Sequence, residues 1–201
     1  MSDLLCVTNR KLCGTGFLRR IDQLAACKPA GIILREKDLP EKEYKVLAEQ
    51  VLEICRAHGT ACILHSFAGV AAELGVKAIH LPLPMLYELN GRQKAAFTCI
   101  GASCHSVRDA IEAQRLGCTY ITAGHVFETD CKKGMPGRGI GFLQNVVHAV
   151  ELPVYAIGGI DSRNIRLVRA AGARGACVMS GAMACGDIRE YMKCMEEGDE
   201  R

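Results

Sequence analysis

Val154-Tyr155-Ala156-Ile157-Gly158-Gly159 and Ala176-Cys177-Val178-Met179-Ser180-Gly181 are the two stretches that decide the fold of this chain. Each is a short apolar run, hydrophobic on both faces, that ends on small residues. Burial on both faces belongs to parallel strands covered on each side, whereas a half-exposed antiparallel strand would alternate. Upstream the same kind of run occurs at Leu4–Thr8, Gly31–Leu34, Ala61–Leu64, Ala78–Leu81, Thr98–Gly101 and Tyr120–Ala123. With Val154–Ile157 and Ala176–Met179, the strands number eight.

Helical patterns separate these runs. Glu41 to His58 carries Tyr44, Leu47, Ala48, Val51, Leu52 and Cys55 on one stripe. Ser106 is placed to cap a helix that stops at Gly117, and Asp161 or Ser162 to cap one that ends at Gly172. The helix around Arg92 is short and weakly patterned. Strands alternating with helices make βαβ units, whose right-handed crossovers permit an open doubly wound sheet or a closed barrel. The count of eight, the even spacing and the lack of G-x-G-x-x-G after the first strand favour closure. The expectation is therefore an α/β chain forming one compact (β/α)8 TIM-barrel domain over residues 1–201, with Glu196 to Arg201 disordered. Loops must be brief at this length, and the one long exception, Gly124 to Gly139, reads as functional.

Composition excludes several classes. Apolar residues are 49% and charged residues 23%, ordinary for a globular domain, and the net charge is only +3. No basic run with interleaved aromatics points to nucleic acid. No stretch approaches the ~20 apolar residues that span a bilayer. Met1 to Arg10 reads as a strand rather than a signal peptide, so a cytoplasmic location is expected. The twelve cysteines include no C-x-x-C pair and fall mostly in strands and helices, as reduced core residues would. Cys104 and Cys131 stand apart because both fall in expected functional loops. An exposed barrel end is compatible with a homodimer.

In a (β/α)8 barrel the active site lies at the C-terminal ends of the strands. That rule selects Arg35, Glu36 and Lys37 after strand two, His65 and Ser66 after strand three, and Ser103 and His105 after strand five. It adds His125, Thr129 and Lys132 after strand six, Gly158 and Gly159 after strand seven, and Ser180 and Gly181 after strand eight. Small residues let backbone N–H groups approach an anion, which makes the last two loops a phosphate signal. The alternative is that the glycines serve only tight turns. Arg35 and Lys37, with Lys132 across the mouth, would hold a second anion or carboxylate, or else an internal salt bridge would join Arg35 or Lys37 to Glu36. His58 and His148 fall on helices, and His80 reads as a satisfied rim histidine. His65, His105 and His125 are acid–base candidates; a zinc site would need them to converge with further ligands that are not evident, so no metal is assigned.

These residues, in this order, resemble the thiamine phosphate synthase superfamily over nearly the whole chain. Leu34-Arg35-Glu36-Lys37 looks like its L-R-E-K motif for pyrimidine and pyrophosphate. Ala156-Ile157-Gly158-Gly159-Ile160 looks like its thiazole-phosphate loop, and Val178-Met179-Ser180-Gly181 is similar to its last phosphate-binding turn. Two departures stand out. Where that synthase carries Asn-Asp after strand three, this chain has His65-Ser66. Where it carries H-L-G-Q-x-D, the chain reads His80-Leu81-Pro82-Leu83-Pro84-Met85. Both carboxylates expected to hold Mg²⁺ are absent, and Mg²⁺ requires hard oxygen ligands.

The loop Gly124-His125-Val126-Phe127-Glu128-Thr129-Asp130-Cys131-Lys132-Lys133-Gly134 instead resembles the thiazole tautomerase (TenI-type) branch, in which the histidine at this position is the acid–base group. The resemblance implies a cofactor-free isomerase of thiamine biosynthesis. It would aromatise a carboxythiazole phosphate by moving one proton through His125. Phosphate would rest on Gly158, Gly159, Ser180 and Gly181, with Arg35 and Lys132 as candidates for the carboxylate, Lys37, Thr129 and Met179 as further substrate or phosphate contacts, and Ser103 and His105 shaping the ring pocket. The alternatives are thiamine phosphate synthesis, which would bring Mg²⁺ back as a cofactor, and a non-catalytic thiazole-phosphate-binding regulator.

Overall fold

The computed structural model describes residues 2–129, 132 and 134–198. The strands are β1 (Leu4–Val7), β2 (Gly31–Leu34), β3 (Cys62–His65), β4 (Ala78–Pro82), β5 (Cys99–Cys104), β6 (Tyr120–Gly124), β7 (Val154–Ile157) and β8 (Gly175–Val178). All neighbours pair in parallel and β8 returns to β1, so the sheet is a closed (β/α)8 barrel. The helices are α1 (Phe17–Ala26), α2 (Glu41–His58), α3 (Ala68–Glu73), α4 (Leu83–Glu88), α5 (Gly91–Lys94), α6 (Val107–Arg115), α7 (Gly139–Ala149), α8 (Ile165–Ala170), α9 (Ser180–Ala184) and α10 (Ile188–Glu197). Among the described residues no helix is long and apolar enough to cross a membrane.

Two hydrophobic clusters explain why the strands are apolar on both faces. Leu5, Val7, Ile33, Ile63, Tyr120 and Cys177 pack together as one. Residues of the opposite parity, including Leu4, Cys6, Ile32, Leu34, Leu64 and Ile121, join the helices in the other. Period-2 alternation thus sorts each strand between barrel interior and helical layer. Gly101 serves the interior: a Cβ there would lie 2.2 Å from the Tyr120 ring, so only glycine lets that tyrosine fill the barrel. Tyr44 of α2 ties two strand ends together from outside. Its hydroxyl donates to the Leu34 carbonyl at 2.8 Å and accepts from the His65 N–H at 3.0 Å.

Local expectations are met in part. Ser106 caps α6 by accepting from the Asp109 N–H at 3.0 Å, and an Asn90–Gln93 capping box explains why α5 forms despite its weak pattern. Asn164, rather than Asp161 or Ser162, occupies the cap position of α8. Asp161 is used instead in the preceding turn, where its carboxylate accepts from the Arg163 N–H. At the C-terminus, Glu196 and Glu197 are helical because Met192 and Met195 anchor α10 in the core; residues 199–201 lie outside the described residues. Strand β5 runs three residues further than its apolar run, so Ser103 and Cys104 are strand residues, and Cys104 is buried core rather than loop. Cys131 lies outside the described residues.

Candidate active site at the strand ends

A cavity of about 760 Å³ opens among the segments that follow β6, β7 and β8. Thr129, Lys132, Gly159, Ser180 and Gly181 all line it, together with Glu128, Met135, Asp161, Arg163 and Tyr191. Five of the residues selected from the sequence are thus brought together here. Gly158 and Met179 adjoin it along the chain, whereas Arg35, Lys37, Ser103, His105 and His125 do not line it.

The glycines have a packing reason of their own. Gly158 and Gly159 have φ of +101° and +66°. A Cβ on Gly158 would come within 2.4 Å of the His125 Cβ, and one on Gly159 within 2.2 Å of the Glu128 carbonyl oxygen. The segment after β6 therefore lies directly on the loop after β7. Backbone bonds from Val126 N–H to the Ile157 carbonyl and from Phe127 N–H to the Gly158 carbonyl hold it there. Of the two, Gly159 also lines the cavity.

His125 is buried beneath this arrangement. Its Nε2 lies 3.1 Å from the Pro136 carbonyl and 3.3 Å from that of Met135. A carbonyl only accepts, so Nε2 carries the hydrogen and Nδ1 the lone pair. Among the described residues, that Nδ1 is the one buried side-chain nitrogen or oxygen without a hydrogen-bond partner. An unsatisfied buried polar atom is costly, and such costs gather at functional positions.

The β2–β5 side is built differently. Glu36 is buried, but not by pairing with Arg35 or Lys37. Its carboxylate accepts from the Thr8 hydroxyl at 2.7 Å, the Arg10 N–H at 3.0 Å and the Arg10 guanidinium at 3.2 Å. The internal salt bridge is therefore made with Arg10, not with Arg35 or Lys37. Burial, and then the neighbouring Arg35, lower the Lys37 pKa.

His65 and Ser66 are bonded to each other, Oγ to Nδ1 at 2.7 Å, with Ser66 in the left-handed region at φ +68°. The His65 ring stacks on that of His80 at 5.6 Å. His80 lies deeper than the rim, and both its nitrogens are satisfied, Nδ1 by the Tyr120 hydroxyl and Nε2 by Ser103, each at 2.9 Å. Burial, then His80, Lys37 and Arg35, push the His65 pKa down to about 2. Burial, then Lys37, take His80 down to about 3. Both are neutral imidazoles at physiological pH.

His105 bridges neighbouring strands, its Nδ1 at 2.9 Å from the Gly124 carbonyl. His65, His105 and His125 are thus engaged separately. Among the described residues no three His, Cys, Asp or Glu side chains form a metal cluster. The two positions after β3 and β4 offer a neutral imidazole, a hydroxyl and the apolar start of α4, a donor set that does not fit Mg²⁺. Sequence reasoning missed Tyr44, Tyr120 and Tyr191. Tyr44 and Tyr120 bond to groups on other elements and Tyr191 lines the cavity, which no local pattern signals.

The closed barrel of eight parallel strands, each followed by helix, defines the class of (β/α)8 barrel proteins, whose active sites lie at the C-terminal ends of the strands. Within that class a family model described as thiamine monophosphate synthase matches residues 4–182, and the chain belongs to this family. That membership places it in thiamine biosynthesis. A thiamine-phosphate synthase of Pyrococcus horikoshii is 32% identical, over 92% of this chain and 89% of that protein. One from Pyrococcus abyssi is 31% identical, over 96% and 95%. The solved structure of a thiamine phosphate pyrophosphorylase from Pyrococcus furiosus superposes with a TM-score of 0.81 at 25% identity, covering 96% of this chain and 92% of that one.

Proposed function

We propose that this protein binds a phosphorylated thiazole and is a thiazole tautomerase with His125 as its proton carrier. The observation that carries the reading is the lone pair at His125 Nδ1, buried and unpartnered while Nε2–H is held by two carbonyls. A group arranged this way is a base of fixed tautomer and orientation. Nδ1 removes the proton from the non-aromatic ring of a carboxythiazole phosphate and returns it at the second position, which makes the ring aromatic. Between the two steps the imidazolium keeps Nε2–H on the Pro136 and Met135 carbonyls, whose dipoles favour the added charge. Gly159, Ser180, Gly181, Thr129 and Lys132 receive the phosphate in the mouth cavity. Arg35 and Lys37, free of Glu36, are the candidates for the carboxylate.

The names of the relatives favour a second reading, thiamine-phosphate synthesis, since proteins about 30% identical carry that name. Against it stands the donor set after β3 and β4, where a neutral His65 with Ser66 and the Pro82–Met85 turn replace the expected acids. One pair of assays separates them. The purified protein should convert the non-aromatic carboxythiazole phosphate to its aromatic tautomer, followed by NMR, and His125→Ala should bind the phosphate ligand yet lose the conversion. Rapid thiamine phosphate formation from thiazole phosphate, hydroxymethylpyrimidine pyrophosphate and Mg²⁺ would replace the first reading by the second. A dispensable His125 with intact binding would point instead to a regulator.

A further inference from the structure

We infer that Tyr191 of α10 is a phosphate ligand, its hydroxyl donating a hydrogen bond to an anion seated against Gly159, Ser180 and Gly181. The inference rests on the reading that a phosphorylated molecule occupies the mouth cavity, and adds to it a specificity residue outside the segment matched by the family, which ends at residue 182.

Three observations converge on this residue. Tyr191 lines the cavity wall that holds Gly159, Ser180 and Gly181. A Cβ on Gly181 would lie 2.5 Å from the Tyr191 hydroxyl oxygen, so the hydroxyl rests on the backbone of the β8–α9 turn and only glycine leaves it room. The hydroxyl makes no hydrogen bond to any described residue and is not sealed from solvent, which leaves its donor to the cavity. The ring itself is fixed, being packed against the core beside α9.

Chemistry then selects the ligand. Burial foremost, then Cys6, Cys185 and Asp161, hold the phenol pKa above its ordinary value, so the group remains O–H at neutral pH. A fixed, neutral O–H next to backbone N–H groups of small residues suits the several acceptor oxygens of a phosphate monoester. Of the two acidic residues that line the cavity, Asp161 is paired with Arg163 and Glu128 is exposed to solvent.

Tyr191→Phe removes the hydroxyl and keeps the ring. Wild type and variant are titrated calorimetrically with inorganic phosphate, thiazole phosphate and the dephosphorylated thiazole alcohol, with thermal melts to show that both fold alike. The variant should bind both phosphates about tenfold more weakly, the loss of one hydrogen bond to a charged acceptor, and the alcohol with unchanged affinity. Phosphate affinity within twofold of wild type, or no binding of inorganic phosphate by wild type, overturns the inference. If Tyr191→Phe weakens inorganic phosphate tenfold but thiazole phosphate binds wild type no better than phosphate alone, the Tyr191 assignment stands and the thiazole reading falls.

Discussion

The two halves of the barrel mouth are made of different materials. On the β6–β8 half the chain comes close to itself through Gly124, Gly158, Gly159 and Gly181, and backbone groups line an open cavity. On the β2–β5 half, side chains fill the space: His65 on His80, His80 on Tyr120 and Ser103, and Glu36 clamped to β1 by Arg10 and Thr8. The first half leaves a nitrogen, His125 Nδ1, with nothing to bond; the second spends its polar atoms on one another. His125 keeps one ring nitrogen unpartnered, whereas His80 has both nitrogens bonded and His65 is bonded to Ser66. Glycine is a geometric necessity in the open half, whereas the filled half depends on which side chains meet.

The largest expected effect is kinetic and confined to the open half. His125→Ala should lower tautomerisation about 100- to 10,000-fold, the usual worth of a positioned acid–base group, while phosphate-ligand affinity stays within a few-fold. The corresponding His65→Asn exchange in the filled half should lower kcat far less in the folded fraction. If His65→Asn is as damaging to kcat as His125→Ala at equal stability, the division between the halves is wrong.

Acid should attack the filled half first. In the unfolded chain both histidines titrate near 6.5, whereas in the fold His65 and His80 are held down to about 2 and about 3. Between those limits the unfolded state binds more protons, so stability is intact above about pH 6.5 and falls as pH drops through the window. The slope should approach about 1.4 kcal/mol per pH unit for each histidine. Urea unfolding from pH 7.5 to 4 measures it, and His80→Gln should flatten the curve. A wild-type stability unchanged across that range would mean the pair is not buried neutral in solution.

Third in size is a backbone test. Gly159→Ala places a methyl 2.2 Å from the Glu128 carbonyl oxygen at a φ of +66°. Left-handed strain and overpacking together should cost about 3 kcal/mol. Gly117→Ala is the control, because its φ of +88° carries the strain but nothing lies within 4 Å of its Cβ. Equal losses at the two sites would show that conformation alone, and not the seating of the loop after β6, requires Gly159.

The same division explains what could be read from the sequence. Eight apolar runs and their glycine endings are local signals, and they located every strand to within three residues. The shortfall came at β5, where Ala102, Ser103 and Cys104 continue the strand without an apolar run. Five candidates of the open half, Thr129, Lys132, Gly159, Ser180 and Gly181, line one cavity because loops after adjacent strands meet. In the filled half, His80 bonding to Tyr120 and Ser103 depends on which parity faces inward on three different strands. Glu36 shows the same limit: sequence proximity favoured Arg35 or Lys37, yet its partner, Arg10, comes from the short turn of helix after β1. Tyr191 reaches the mouth because α10 packs against α9, and no spacing encodes that.

The smallest effect tests whether the filled half behaves as one network. Tyr120 and Ser103 occupy the two nitrogens of His80, so a neutral ring donates to one and accepts from the other. Burial pushes the Tyr120 pKa far up and keeps it an O–H group. Tyr120→Phe should therefore cost about 1–2 kcal/mol by leaving His80 Nδ1 unpaired, with kcat nearly unchanged. Ser103→Ala should cost a similar amount from the other side. Because both bonds share one imidazole, the double variant should lose less than the sum of the single losses, which a double-mutant cycle on urea midpoints would register as coupling. Strict additivity would mean that His80 holds its two neighbours independently. A kcat that falls while stability holds would move Tyr120 and His80 out of the scaffold and into the chemistry.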